Sequence, residues 1–246
     1  MVRDQVGQRV KGSSDAEVVL FKEGEEISRS SITNLSIAEN YELAIRLDAA
    51  RAGTTLYREK AYAVNSSYSL AVDINGIRYY PIEVSGDLRV GLGGERHRLD
   101  LNLGSDLDGD GLPDVWEEWQ LYQAGERPDE SGNWDLSLIG PDGDFDGDGQ
   151  KDGFEYIAGT FAGDASETFG LDIKAWREGE AHFEFYQITG KAYTLEASPD
   201  GESWEQVAFA VEASPERASY QADAVGVVTA TSPAENPQTL FRLTVR

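Results

Sequence analysis

The chain has 246 residues, and its 45 Asp and Glu against 21 Lys and Arg give a formal net charge of −24 at pH 7. Nucleic-acid binding needs clustered positive charge that displaces counterions from phosphates, so this acidity argues against a nucleic-acid partner. The chain has no cysteine, which excludes disulfides, thiolate metal sites and a cysteine nucleophile. Hydrophobic residues make up 40% of the chain, enough for packed cores, so we expect a folded protein.

The beginning of the chain bears on its location. The first twelve residues lack the apolar stretch of a secretory signal, and no segment is apolar enough to predict a membrane span. Two interpretations stay open: the protein is cytosolic, or the chain is a mature fragment of an exported protein. We expect residues 1–15 to form a flexible N-terminal segment.

Residues 16–103 contain short runs in which apolar and polar residues alternate, as in residues 41–47, 68–74 and 96–103. A period of two is typical of half-buried strands. Asn75 and Gly76 separate two such runs, and this dipeptide tolerates the positive φ angles of a two-residue type I′ hairpin turn. The pattern predicts a β-sandwich of immunoglobulin size.

Residues 171–246 show the same alternation, with a Pro199-Asp-Gly201 turn between two of the runs. The predicted strands cover residues 181–186, 192–197, 204–209, 226–230 and 240–245. We therefore expect a mainly β protein. Two small β-sandwiches of immunoglobulin or fibronectin III type, at 16–103 and 171–246, would be joined by a calcium-binding loop-helix module at 104–170.

The joining segment contains an internal repeat of twelve residues. Residues 106–117 and 144–155 align without gaps, seven of the twelve positions are identical, and all seven are Asp, Gly or Glu. Both stretches satisfy the pattern D-x-D-x-D-G-x5-E of a calcium-binding loop. Five carboxylates within so short a stretch repel one another strongly unless a cation lies between them, and the arrangement occurs twice.

Calcium prefers six to eight oxygen ligands, and this spacing supplies them by folding one loop around the ion. The first, third and fifth positions contribute side-chain oxygens and the seventh its backbone carbonyl. The ninth position acts directly or through water, and the twelfth contributes a bidentate carboxylate. The predicted ligands of two Ca²⁺ ions are Asp106, Asp108, Asp110, Leu112, Asp114 and Glu117 in the first loop, and Asp144, Asp146, Asp148, Gln150, Asp152 and Glu155 in the second.

The flanking residues differ from those of a paired EF-hand. The segment entering the first loop, residues 99–103, alternates like a strand, and the eighth loop position is Pro113 in one copy and Lys151 in the other. Proline has no N–H to donate to a partner loop. The exiting segments, residues 113–122 and 153–158, are predicted to be helical, so each unit reads as strand, loop and helix.

These loops, with Ala158, Gly159 and Thr160 after the second one, resemble the thrombospondin type 3-like, dockerin-like calcium repeats of bacterial secreted and cell-surface proteins. The last part of the chain resembles the β-module that often follows such repeats, through residues 193–198, Trp204 and residues 240–243. The resemblance implies an exported, multi-modular protein stiffened by calcium. Where such repeats often continue with Asp-Pro, this chain has residues 161–164, and Asp164 is the candidate replacement ligand.

Other residue types suggest no catalytic centre. His97 lies among charged residues and His182 shares a strand face with Glu184, so both are expected at the surface. Tryptophans are usually packed in cores, but two or three exposed together would form a platform for stacking sugars. The five tryptophans are Trp116, Trp119, Trp134, Trp176 and Trp204.

The sequence thus predicts a secreted or cell-surface calcium-binding structural or adhesion protein that is not an enzyme. Two calcium sites would rigidify the junction between its β-modules. Its expected partners are neighbouring modules or surface proteins, further copies of the chain in an assembly, and carbohydrate. The alternatives are a carbohydrate-binding module, marked by an exposed coplanar aromatic pair on one sandwich face, and an accessory domain of a larger secreted hydrolase.

Overall fold

The structure, a computed structural model, describes residues 1–12, 15–33, 36, 39–48, 58, 60–212, 214–234, 236 and 238–246. The fold is mainly β with several antiparallel sheets, and short helices follow the two Asp-rich loops. The chain divides into two compact units, residues 1–116 and 117–246. The three module boundaries inferred from the sequence stay a prediction. None of the helices in the described residues is long and apolar enough to span a membrane.

The first unit consists of short strands in two sheets. The strands are β1 Val2–Arg3, β2 Ala16–Lys22, β3 Glu25–Ser31, β4 Ser69–Ile74, β5 Ile77–Tyr79, β6 Glu83–Ser85 and β7 Asp100–Asn102. The antiparallel sheet has the order β3-β2-β4-β5, and the second sheet has the order β1-β7-β6, with β1 parallel to β7.

The predicted hairpin between β4 and β5 is confirmed. Ile74 pairs with Ile77 across the turn, and Asn75 and Gly76 have φ angles of 50° and 80°. Both central residues therefore have positive φ, as a type I′ turn requires.

Two stretches of the first unit differ from the sequence-based expectation. Residues 41–46 belong to no strand, although Tyr41, Leu43 and Ile45 do pack against the core. The alternating pattern correctly indicated which side chains face the core. It could not show whether a neighbouring strand lies close enough to form backbone hydrogen bonds with this segment. Residues 2–3, within the segment expected to be flexible, pair with β7, and Val2 is fully buried.

The second unit begins inside α1 and continues through a short helix into two groups of strands. β9 lies between β8 and β14 with β12 beyond, and β10 pairs with β11, β13 and β15. The elements are α1 Asp114–Ala124, a 3-10 turn Leu136–Leu138, α2 Asp152–Ala158, β8 Leu171–Arg177, β9 Glu180–Gln187, β10 Ala192–Ser198, β11 Glu205–Val207, β12 Ala210–Val211, β13 Tyr220–Gln221, β14 Gly226–Pro233 and β15 Leu240–Val245.

The core of the second unit draws on both of its sheets. Phe183 of β9 and Val228 of β14 are buried together with Tyr193 of β10 and Val245 of β15. Ala158, the last residue of α2, belongs to the same cluster. The strands predicted here from alternation are confirmed as β9, β10, β14 and β15, and the helices as α1 and α2. The short helix that follows the second loop is thus part of the β core.

Candidate metal sites

Each Asp-rich loop brings three carboxylates together. One oxygen from each of Asp106, Asp108 and Asp110 lies within 4.8 Å of the others, and the same holds for Asp144, Asp146 and Asp148. Both triads could hold a metal ion. The first triad lies in the first unit and the second in the second unit.

Glycines and the first Asp of each loop shape the backbone around the triad. In the second loop, the N–H groups of Gly147 and Gly149 donate to the two carboxylate oxygens of Asp144, at 2.9 and 3.1 Å. Gly149, like Gly111 of the first loop, has a φ angle above 90°, which costs a residue with a side chain more than it costs glycine. The duplicated glycines therefore supply the sharp turn that the motif predicts.

The ninth-position carboxylates close the loops. The N–H of Phe145 donates to Asp152 Oδ1 at 2.8 Å, and the N–H of Gly140 donates to Oδ2 at 3.0 Å. In the first loop, Leu107 donates in the same way to Asp114 Oδ1 at 2.8 Å. Asp152 and Asp114 are both buried. Through these hydrogen bonds, each one links the start of its helix to the second residue of its loop.

Glu155 supplies an observation that does not depend on the Asp triads. It lies on α2 and is fully buried, and its carboxylate accepts a hydrogen bond from Thr160 Oγ1 to Oε1 at 3.2 Å. Its Oε2 atom has no hydrogen-bond partner among the described residues, and neither do the buried Oδ2 atoms of Asp146 and Asp148. Buried acceptors are normally satisfied, so three such oxygens in one loop fit an all-oxygen cation site.

The electrostatics of the second loop agree with that geometry. Burial, together with the negative charges of Asp146 and Asp148, raises the pKa of Glu155 to about 8. Burial also raises the pKa of Asp146, with a contribution from the charge of Asp148. A bound divalent cation would reverse both effects, because it favours the ionised carboxylates.

The first loop repeats the pattern within the first unit. Burial raises the pKa of Asp110, and the charges of Asp108 and Asp106 add to the effect. Leu112, whose carbonyl is the predicted ligand, is buried, and its N–H donates to Asp110 Oδ1 at 2.8 Å. Glu117 is fully buried on α1, one residue beyond the division of the chain.

The structure adds one residue to the second site that the ligand pattern missed. Thr160 lies two residues beyond α2, outside the twelve-residue motif, and bonds directly to Glu155. In the sequence, the only indication of a role for Thr160 was its place in the Ala158-Gly-Thr160 segment that follows the second loop. Asp164, the candidate replacement ligand, instead accepts hydrogen bonds from the N–H and hydroxyl of Ser166 and is exposed.

The remaining candidates lie elsewhere. His97 is exposed beside Glu95, and His182 is half-buried beside Arg177. Trp119 is 50% exposed on α1, and its ring stacks on that of Tyr122, which is equally exposed, with centroids 6.2 Å apart and planes 26° apart. This exposed aromatic pair lies on a helix and not on a sheet face.

Comparison of the chain with protein-family models, curated proteins and solved structures finds no match. Any function proposed for it rests on its own residues.

The raised pKa of Glu155 predicts how the metal-free protein responds to pH. Between its ordinary pKa of 4.5 and its folded value of about 8, the folded protein holds a proton that the unfolded chain has released. Glu155 therefore makes the metal-free fold less stable as pH rises through this window, and Glu155→Gln removes that dependence.

Urea unfolding of metal-stripped protein at about pH 5 and about pH 8 measures the effect. We expect the wild type to lose on the order of 2 kcal/mol relative to Glu155→Gln between the two conditions. Parallel pH profiles for the two proteins would contradict the assignment.

Proposed function

We propose that the chain is a secreted or cell-surface calcium-binding structural protein in which two Ca²⁺ ions rigidify the junction between two β-sandwich modules. The modules would be of immunoglobulin or fibronectin III type, and no residue is given a catalytic role. The observation that supports this most directly is the second loop, where the Asp144, Asp146 and Asp148 triad lies with a fully buried glutamate.

The donor set favours calcium over other common metals. The predicted ligands are all oxygens, the chain has no cysteine, and neither histidine lies in an Asp-rich loop. This donor set disfavours zinc. Six protein ligands per loop leave few positions for water, whereas magnesium usually retains several waters. When bound, the ion would neutralise carboxylates that otherwise repel one another, and it would hold each loop against the helix that follows it.

The proposed stiffening of the junction between the β-modules is based on where the two loops lie in the chain. One loop precedes α1, within which the chain divides into its two units, and the other precedes α2 in the second unit. Cross-linking each loop by a cation would stiffen the segment between the β-modules. Such a module suits a multi-modular protein whose partners are neighbouring modules, other surface proteins or further copies of itself.

A second candidate function, carbohydrate binding, is favoured by the exposed pair Trp119 and Tyr122. Half-exposed aromatic rings on one helix face provide apolar surface of the kind that stacks against sugars. The guanidinium of Arg127 lies 4.8 Å from the centroid of the Tyr122 ring and supplies hydrogen-bond donors beside it. The same function would suit an accessory module of a larger secreted hydrolase.

Calcium titration tests the proposed sites. Isothermal titration of chelator-treated protein should show two sites per chain, with dissociation constants of about 10⁻⁴ to 10⁻³ M, the range of extracellular modules. Glu117→Gln and Glu155→Gln should each weaken one site by at least about tenfold, because each change removes a charge and one oxygen of a bidentate ligand.

Glu118→Gln is the matched control, since Glu118 is the residue immediately after the first loop. It should leave both affinities within about twofold of wild type. Binding of fewer than two ions, or a larger loss from Glu118→Gln than from Glu117→Gln, would contradict the proposed ligand register.

Limited proteolysis tests the architectural role. Without calcium, repulsion among the loop carboxylates should open the segment of residues 104–170 locally, and locally open segments are cleaved first. We expect brief treatment with proteinase K to cut within this segment in EGTA and to spare it in millimolar calcium, as read by mass spectrometry. Equal cleavage rates in the two conditions would argue against a stiffened junction.

Affinity electrophoresis in gels that contain soluble α- or β-glucans tests the carbohydrate alternative. If it is correct, wild-type protein is retarded, and Trp119→Ala weakens the retardation at least about fivefold through loss of stacking surface. Trp204→Ala is the control, because it removes a tryptophan that is not part of the stacked Trp119 and Tyr122 pair. Unretarded wild type would count against a glucan-binding role.

A further inference from the structure

The side chain of Gln150 joins the second loop to the β strands of the second unit. Its Nε2 donates to the carbonyl of Phe169 at 3.1 Å, and the N–H of Phe169 donates back to Oε1 at 3.1 Å. Phe169 lies two residues before β8. The backbone carbonyl of Gln150 is a predicted cation ligand. Its side chain thus hydrogen-bonds to the segment that leads into β8.

Aromatic packing continues this connection into the core. The Phe169 ring lies 6.3 Å from that of Tyr193 in β10, nearly parallel to it, and 5.4 Å from that of Phe154 in α2. Tyr193 is fully buried and packs against Phe185 of β9. Phe169 therefore bridges α2 and β10, and Tyr193 continues the packing to β9.

Lys191 forms a second connection, at the other end of α2. Its ammonium group, on a residue that is 3% exposed, donates to the carbonyl of Ile157 at 2.7 Å and contacts that of Tyr156 at 3.5 Å. A cation at the C-terminus of a helix satisfies its free carbonyls and interacts favourably with its dipole. Lys191 directly precedes β10.

A helix of seven residues is too short to persist by itself in water, so its position depends on what it packs against. α2 carries Glu155, and Lys191 and the β core hold α2 in place. The same strands thus position the Glu155 carboxylate for a cation.

We propose that the second cation site and the C-terminal β strands form one cooperative unit, in which Gln150 and Lys191 are positioning residues that couple calcium binding to the stability of the sheets. This inference rests on the proposed calcium function. Coupling between two sites is reciprocal: what positions the ligands raises cation affinity, and the bound cation stabilises the strands to the same extent.

The seventh position of the first loop cannot form the hydrogen bonds that Gln150 forms. Its seventh position is Leu112, a buried aliphatic side chain without an amide, and its eighth is proline. The duplicated loops would therefore have different effects, with only the second one controlling the β strands of residues 171–246.

Hydrogen exchange on the full chain tests the proposal, with mass spectrometry of peptides from β9, β10 and β14. Calcium should slow exchange in these strands in wild type and in Glu117→Gln, but not in Glu155→Gln. Equal protection in wild type and Glu155→Gln, or loss of protection in Glu117→Gln, would overturn the assignment to the second loop.

Gln150→Leu, which installs the residue of the first loop, tests the positioning role. In a Glu117→Gln background, where the first site is weakened, it should weaken calcium binding at the second site about three- to tenfold and reduce the calcium-induced protection of β9 and β10. Gln123→Leu, an identical change at an exposed position of α1, should alter neither quantity.

A merely structural role for Gln150 would speed exchange equally with and without calcium and leave the affinity unchanged, and that result would overturn the proposal. Lys191→Met should act in the same direction, and Lys191→Arg should restore part of the affinity. If wild-type protein binds no calcium, the proposed function fails. If it binds two ions but its strands do not respond, only the coupling fails.

Discussion

Mutual repulsion between carboxylates that the backbone forces together is the constraint on which the middle of this protein depends. In both loops, glycines with positive φ turn the chain so sharply that three Asp oxygens converge. The surrounding N–H groups stabilise some of this charge, but they do not reach every oxygen of the second loop. The fold buries a glutamate where negative charge is already concentrated, which is costly for the ionised carboxylate and which a bound cation would relieve.

The two copies of the repeat share this constraint but differ in their surroundings. Their identical positions are all Asp, Gly or Glu, the residues that shape the loop and supply oxygens. Their seventh and eighth positions differ. In the second loop the seventh residue, Gln150, donates a hydrogen bond to Phe169, just before β8. The two copies thus share the residues that could hold a cation, whereas Gln150 of the second copy also contacts the segment before β8.

The sequence predicted the features that depend on neighbouring residues. The loop motif, the Asn75-Gly76 hairpin and the longer strands of the second half follow from local spacing, and the structure confirms the hairpin and those strands. It could not predict which extended segments find ladder partners, as residues 41–46 illustrate. It also missed the contact between Lys191 and Ile157, because no local pattern reports a partner 34 residues away.

The carboxylates of Asp114 and Asp152 carry a kinetic consequence. Each accepts a hydrogen bond from the second residue of its loop, so this contact helps to bend the loop backbone. Because both loops make the same contact, an ion would associate with the two at similar rates. Differences in affinity between the two loops would arise mainly in how long each ion stays bound.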